Sequence, residues 1–263
     1  MMKIGAQLYT LHDYCKTLDD FAETLKRVAD MGYTAVQVSG TCDFEAEWLA
    51  EQLKKNGLVC PLTHTKYDKI LNETEKTIAE HTVFGCDHIG LGALPGIWDK
   101  DEAAREAAAR KFAVESKAAA QTIAKAGKLF MYHNHHYEYM TSVDGKNVMK
   151  YLADEFAPNE LGFTLDTYWV KAGGCDPVEE INRLSGRLPC VHFKDYKLEA
   201  DGTNHYTWCG DGILDFEKIG DALVAAGTEY VFIEQDSTFP DEPNPFVCLA
   251  NSRGYLKSLG FKF

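Results

Sequence analysis

The sequence predicts an α/β fold, a single (β/α)8 barrel covering residues 1–263, and three observations predict it. Eight short apolar or β-branched runs recur along the chain: IGAQLY, TAVQV, LVCPLTH, HIGLG, LFMYH, LGFTLD, PCVHF and YVFIE. Amphipathic segments separate them, and a glycine stands at the junction in MGYTAVQV, NGLVCPL, FGCDHIGLG, AGKLFMYH and AGTEYVFIE. Glycine there supplies the left-handed residue that ends a helix, and the run that follows reads as a buried strand. Eight such units in one chain of 263 residues average roughly 33 residues each, which suits a TIM barrel of about 250 residues. The rival, a doubly wound open sheet, would be favoured by a GxGxxG turn after the first strand, and IGAQLY runs into TLHDYCK instead.

The connecting segments carry helix signals of their own. In TLDDFAETLKRVADMG, Thr17 can cap the first turn with Asp20 three residues on, and Phe21, Leu25 and Val28 share a face. DEAAREAAARKFAVESKAAAQTIAKAG, residues 101–127, is alanine-rich with paired charges and predicts a long helix. In CDPVEEINRL, Asp176 is placed to cap, Pro177 fits the first helical position, and Glu179 and Glu180 suit the positive end of the dipole. LEADGTNHYTWCGDGILDF, residues 198–216, is a long connection before the last strand and reads as a lid or substrate loop.

Charge and composition exclude several functions. A net charge of −13 would repel polyanions, so neither nucleic acid nor an acidic membrane is an expected partner. No run approaches the roughly 18 apolar residues of a spanning helix, and the first residues lack the apolar core of a signal peptide, so the expected location is cytoplasmic. The eight cysteines are scattered without a CxxC pair, and packed, reduced thiols are expected. A homo-oligomer is compatible with the sequence.

Chemistry in such a barrel collects at the C-terminal ends of the strands. The polar residues there are Gln7 and Tyr9, Gln37 and Ser39, His64, His133 and His135, Asp166, His192, and Glu234 with Asp236. Each alone could simply cap a helix or satisfy a loop. Together, Asp166, His192 and Glu234 follow apolar runs on successive strands, where an unpaired carboxylate would cost several kcal/mol. A divalent cation is the simplest common partner. Mixed oxygen and nitrogen donors suit manganese first, with cobalt, magnesium or zinc as alternatives.

The motifs KIGAQLYTL, YHNHHYEY, LDTYW, VHFKDYK, GDGILDF and FIEQD, in this order over nearly the whole chain, resemble the sugar isomerase/epimerase group of the xylose-isomerase-like barrels. That superfamily also contains endonuclease IV and the inosose dehydratases, and HNHHYEY leans toward the latter branch. The resemblance implies one divalent metal held by a Glu, Asp, His, Glu set. Asp166, His192 and Glu234 match. Many relatives place the first glutamate inside the fifth strand, where this chain has His133. Glu138 in the following loop is the favoured fourth ligand and His133 its rival.

The resemblance further implies a small carbohydrate substrate and proton abstraction next to a metal-polarised carbonyl, through an enediolate. The residues expected to move protons are drawn from Glu138, Glu234, His133 and His135. Those expected to bind substrate are Gln7, Tyr9, His64, Trp169 and Lys194. The alternative is a dehydratase or lyase acting on a keto-sugar, an inosose or a 3-keto-glycoside, since the same enolate can expel a β-substituent. An abasic-site endonuclease would need three metals and a basic track, and a non-catalytic sugar-binding barrel would be expected to have lost its ligands.

Overall fold

The computed structural model describes residues 2–200, 202–236 and 244–262. Each of the eight apolar runs forms a strand: β1 (Lys3–Gln7), β2 (Ala35–Val38), β3 (Val59–His64), β4 (His88–Leu91), β5 (Leu129–His133), β6 (Leu161–Thr164), β7 (Cys190–Phe193) and β8 (Tyr230–Ile233). They pair in parallel in the order β6, β5, β4, β3, β2, β1, β8, β7. The circle closes between β6 and β7 through a parallel bridge from Asp166 to His192, whose backbone N–H donates to the Leu165 carbonyl at 2.8 Å. The chain is thus a (β/α)8 barrel with helices between the strands.

Alternation along each strand decides what faces inward. Leu129, Met131 and His133 share one face of β5, and Tyr230, Phe232 and Glu234 lie in phase along β8 and just beyond its end. Ala35, Leu62, Met131, Cys190 and Phe232 pack into a separate apolar cluster that plugs the barrel. The opposite faces, such as Phe130 and Tyr132, pack outward against Phe112 of the helix layer. The barrel axis is therefore apolar below and polar at the C-terminal mouth.

Two inward positions are glycines because their neighbours fill the space. A Cβ on Gly90 would stand 2.3 Å from the Thr63 carbonyl oxygen, whereas one on Gly162 would meet the flexible ends of Leu129 and Met131 at 2.7 Å. Backbone does not yield as side-chain tips do. Gly90→Ala is expected to cost about 3 kcal/mol and Gly162→Ala clearly less, a ranking that denaturant unfolding of the two variants would check.

The helix signals are realised. Thr17 caps Leu18–Asp30, accepting from the Asp20 N–H and donating to its carboxylate. Asp176 caps Pro177–Arg183 through the N–H groups of Val178 and Glu179. The alanine-rich segment forms two helices, Glu102–Glu115 and Lys117–Lys125, divided at Ser116, whose buried hydroxyl meets the Tyr67 hydroxyl at 3.0 Å. The eight cysteines are free thiols, six of them buried.

The long connection after β7 is more ordered than a bare loop. Asp195–Leu198 and Asn204–Thr207 pair as an antiparallel hairpin. Asp195 anchors its return: one carboxylate oxygen accepts from Gly210 and Gly212, the other from Tyr196 and Leu214. Tyr206 of the hairpin is thereby brought beside Tyr168 and Lys194 at the mouth.

Candidate metal and substrate site

Four side chains converge where β5, β6, β7 and β8 end. One ligand atom each from His133, Asp166, His192 and Glu234 lies within 4.8 Å of the others, and all four residues are buried. Nε2 of His133 is 3.6 Å from Asp166 Oδ2, and Nδ1 of His192 is 2.9 Å from Glu234 Oε2 and 3.8 Å from Asp166 Oδ2. It is the one such group among the described residues.

The surroundings fix which atoms face the centre. His133 donates from Nδ1 to the Gly92 carbonyl at 2.8 Å, since a carbonyl can only accept, and this leaves the Nε2 lone pair free. His192 meets Gln37 Oε1 through Nε2 at 2.6 Å, which turns Nδ1 inward. Asp166 accepts the Trp169 N–H on Oδ1 as cap of Thr167–Ala172, leaving Oδ2 free. His133 Nε2, Asp166 Oδ2, His192 Nδ1 and Glu234 Oε2 are all buried and make no hydrogen bond outside the group, their near neighbours being one another. Imidazoles oriented through their far nitrogen, together with orphaned carboxylate oxygens, are the donor set a divalent cation takes.

Electrostatics agree with a cation at this point. Burial disfavours the His192 imidazolium, but Glu234 and then Asp166 outweigh it and lift its pKa from 6.5 to about 9. Burial also works against the Glu234 carboxylate, yet His192 and Lys194 pull its pKa from 4.5 down to about 2. Asp166 is held well below the carboxylate range by Lys194 and the two imidazoles despite its burial. The two carboxylates therefore favour the protonated form of His192 where no cation is bound.

The raised His192 pKa stabilises the metal-free fold fully below pH 6.5, and that contribution is lost as pH rises through about 9. The lowered Glu234 pKa contributes above pH 4.5 and is lost as pH falls toward about 2. A metal must displace the His192 proton, so its affinity is expected to rise with pH and to level off above about 9. Equilibrium dialysis at several pH values checks this.

Glu138, expected as the fourth ligand, is not brought into the group. The short helix Tyr137–Met140 turns it back beside β5, where Oε1 accepts from the Tyr132 hydroxyl at 2.8 Å and Oε2 from the His135 N–H at 2.9 Å. Tyr132 belongs to the outward face of β5, so Glu138 braces the loop from outside. His133, in phase with Leu129 and Met131, takes the inward place.

The expected substrate residues rim the same mouth. Gln7 is fully buried at the end of β1, its Oε1 accepting from Tyr9 N. His64 lies 3.1 Å from Ser39 Oγ, its ring 5.2 Å from that of His133 and 5.6 Å from that of His192. His135 packs against Trp98, Trp169 and His133, with Nδ1 unpartnered, and burial pushes its pKa well down. His136 is half-buried and stacked on Trp169. Tyr9 is 40% exposed and stacks on His12, so it stands on the rim rather than beside the four ligand atoms.

Lys194 is sealed in, its ammonium over the rings of Trp169 and Tyr206 and 2.5 Å from Asp236 Oδ2. Gln37, Asn134, Asp236 and Tyr206 are the site residues that strand-end reading did not assign. Gln37 and Asp236 carried a signal, being polar residues directly at strand ends. Asn134, whose Oδ1 accepts from Asp166 N, and Tyr206 depend on loop geometry that the sequence does not display.

Residues 25–248 match the family model described as xylose isomerase-like TIM barrel. The chain belongs to that family. A curated inosose dehydratase from Geobacillus thermodenitrificans is 27% identical over 148 residues, covering 51% of this chain and 49% of the relative. The chain thus spans about half the length of the curated relatives it matches. Among solved structures, a sugar phosphate isomerase/epimerase from Parabacteroides distasonis superposes with a TM-score of 0.77 at 22% identity, covering 97% of this chain and 98% of the other. The IOLI protein with a bound zinc atom superposes at 0.72 and 14% identity, covering 98% of each chain. Members of the family include sugar isomerases, epimerases and dehydratases. No helix among the described residues is long and apolar enough to cross a membrane.

Proposed function

We propose that this chain is a cytoplasmic, divalent-metal-dependent isomerase or epimerase that moves a proton on the carbon beside a sugar carbonyl. The observation that carries the reading is the set of four buried, unpartnered ligand atoms on His133, Asp166, His192 and Glu234. These residues would hold one ion, manganese first, with cobalt, magnesium and zinc as alternatives. When bound, the ion supplies electrophilic polarisation of a carbonyl oxygen, which acidifies the adjacent C–H.

The protein's own groups do the rest. His135 offers a neutral ring with an unpartnered Nδ1 at the mouth, held there by the bond from its backbone to Glu138. In this reading His135 Nδ1 takes the proton and the Glu234 carboxylate serves the other side of the same carbon or its neighbour. Return to the opposite face of the same carbon gives epimerisation; return to the neighbouring carbon gives isomerisation. Glu138 orients His135 rather than touching substrate. The indole N–H of Trp169, buried without a partner, is available to a substrate hydroxyl, and Trp98 and Trp169 wall the entrance against water.

A second reading, dehydration of an inosose or related keto-sugar, is favoured by the matched half-length of a curated inosose dehydratase. It uses the same proton abstraction and differs in the fate of a β-hydroxyl. Incubation of the metal-loaded protein with keto sugars in heavy water separates these outcomes. Deuterium uptake without mass loss supports isomerase or epimerase chemistry, loss of water supports the dehydratase, and neither across such substrates counts against enolisation.

A further inference from the structure

The charges at the mouth are already balanced, and this bears on what enters. Two carboxylates, Asp166 and Glu234, stand against one divalent ion. Arg105 and Lys194 are the only buried lysine or arginine among the described residues. Arg105 is engaged, donating to Thr141 Oγ1 at 2.7 Å and to the Asp99 carbonyl at 2.8 Å, with its guanidinium on the Tyr137 ring. Lys194 has a side chain 1% exposed and is paired with Asp236 Oδ2 at 2.5 Å. On the strand-end loops Lys66 faces Asp43, Lys146 faces Asp154 and Lys197 faces Asp211.

Beyond Lys194 Nζ, whose contact with Asp236 is an ion pair rather than a well-aligned hydrogen bond, the mouth offers neutral donors: Gln7 Nε2, Gln37 Nε2, Asn134 Nδ2 and Trp169 Nε1 are buried N–H groups with no hydrogen-bond partner. Such groups are costly to leave unmade, and hydroxyl oxygens satisfy them without bringing charge. A phosphate or carboxylate would arrive as an anion where the buried ammonium, Lys194, already has its carboxylate, and burying it unpaired is strongly unfavourable.

We propose that the site selects an uncharged polyhydroxylated carbonyl compound, without phosphate or carboxylate, and that Asp236 sets this selectivity by neutralising Lys194. The inference rests on the enolising site proposed above and names its substrate class. It departs from the phosphorylated class named for one of the structural neighbours. With Asp236 removed, Lys194 would remain as a buried ammonium among the rings of Tyr168, Trp169 and Tyr206. An anionic group could then take the vacated place.

The test pairs D-fructose with D-fructose 6-phosphate and D-ribulose with D-ribulose 5-phosphate, measured by calorimetric binding and by proton exchange in heavy water. The wild-type protein is expected to favour the neutral member of each pair by about tenfold or more, and Asp236→Asn to shift the ratio toward the phosphate by at least about tenfold. Asp236→Glu should restore the wild-type preference, and thermal melting confirms that each variant is folded. A wild-type preference for the phosphates, an unchanged ratio in Asp236→Asn, or no binding of any member overturns the inference. Binding without exchange would sink the enolisation reading while the binding ratio still decides the selectivity.

Discussion

Asp166→Ala is expected to leave the purified protein without its metal and to lower proton exchange by about three orders of magnitude or more, since Lewis-acid polarisation is worth several kcal/mol. The residue carries two roles on its two oxygens. Oδ2 is one of the four convergent ligand atoms, and Oδ1 accepts the Trp169 N–H as a helix cap. Losing the cap alone costs about 1 kcal/mol, far less than the catalytic loss. Asp166→Asn separates the two, because asparagine caps nearly as well but presents no second anionic oxygen. Both variants should therefore lose metal by elemental analysis, while Asp166→Asn melts closer to wild type. Metal retained in Asp166→Ala would remove Asp166 from the ligand set.

His133→Ala is expected to lose metal almost as completely, whereas Glu138→Gln should keep it. His133 aims an unpartnered Nε2 at the centre, and its Nδ1 is fixed by the Gly92 carbonyl. Both oxygens of Glu138 are engaged, by the Tyr132 hydroxyl and the His135 N–H. An amide at 138 would keep one of those bonds and set an N–H against a donor at the other, for a stability cost of about 1–2 kcal/mol. The expected phenotype of Glu138→Gln is a lower melting temperature and slower exchange through a looser His135, with metal content unchanged. Equilibrium dialysis of the two variants beside thermal melting reads both quantities, and the reverse pattern would return Glu138 to the ligand set.

These two residues also show how far the sequence could be read. Barrel strands are buried on both faces, so they appear as short apolar runs of similar length, and the eight runs correspond to the eight strands. Asp166, His192 and Glu234 stand out because each is a polar residue placed directly after such a run. His133 was marked by the same rule, in phase with Leu129 and Met131 on the inward face. Glu138 drew attention through composition, and nothing in its spacing displays the four-residue helix that turns it toward Tyr132.

The hairpin after β7 offers a different lesson. The Asp–Gly pair at 201–202 between two strand-like stretches is the local turn signal for it, but length alone reads as a loop. Its placement over the mouth depends on Asp195 collecting four backbone N–H groups, a tertiary arrangement without a sequence pattern. Likewise the pairing of Lys194 with Asp236 joins two loops separated along the chain by the last helix-and-strand unit. Charge balance at the mouth is thus a property of the fold.

The proposed metal centre unites the four convergent atoms of His133, Asp166, His192 and Glu234. Its most direct test is elemental analysis of the wild-type protein, as purified and after reconstitution with manganese, cobalt, zinc or magnesium. Close to one divalent ion per chain, released together with proton-exchange activity by a chelator, is the predicted result. No bound ion after reconstitution, or exchange that persists undiminished in the chelated protein, would contradict it.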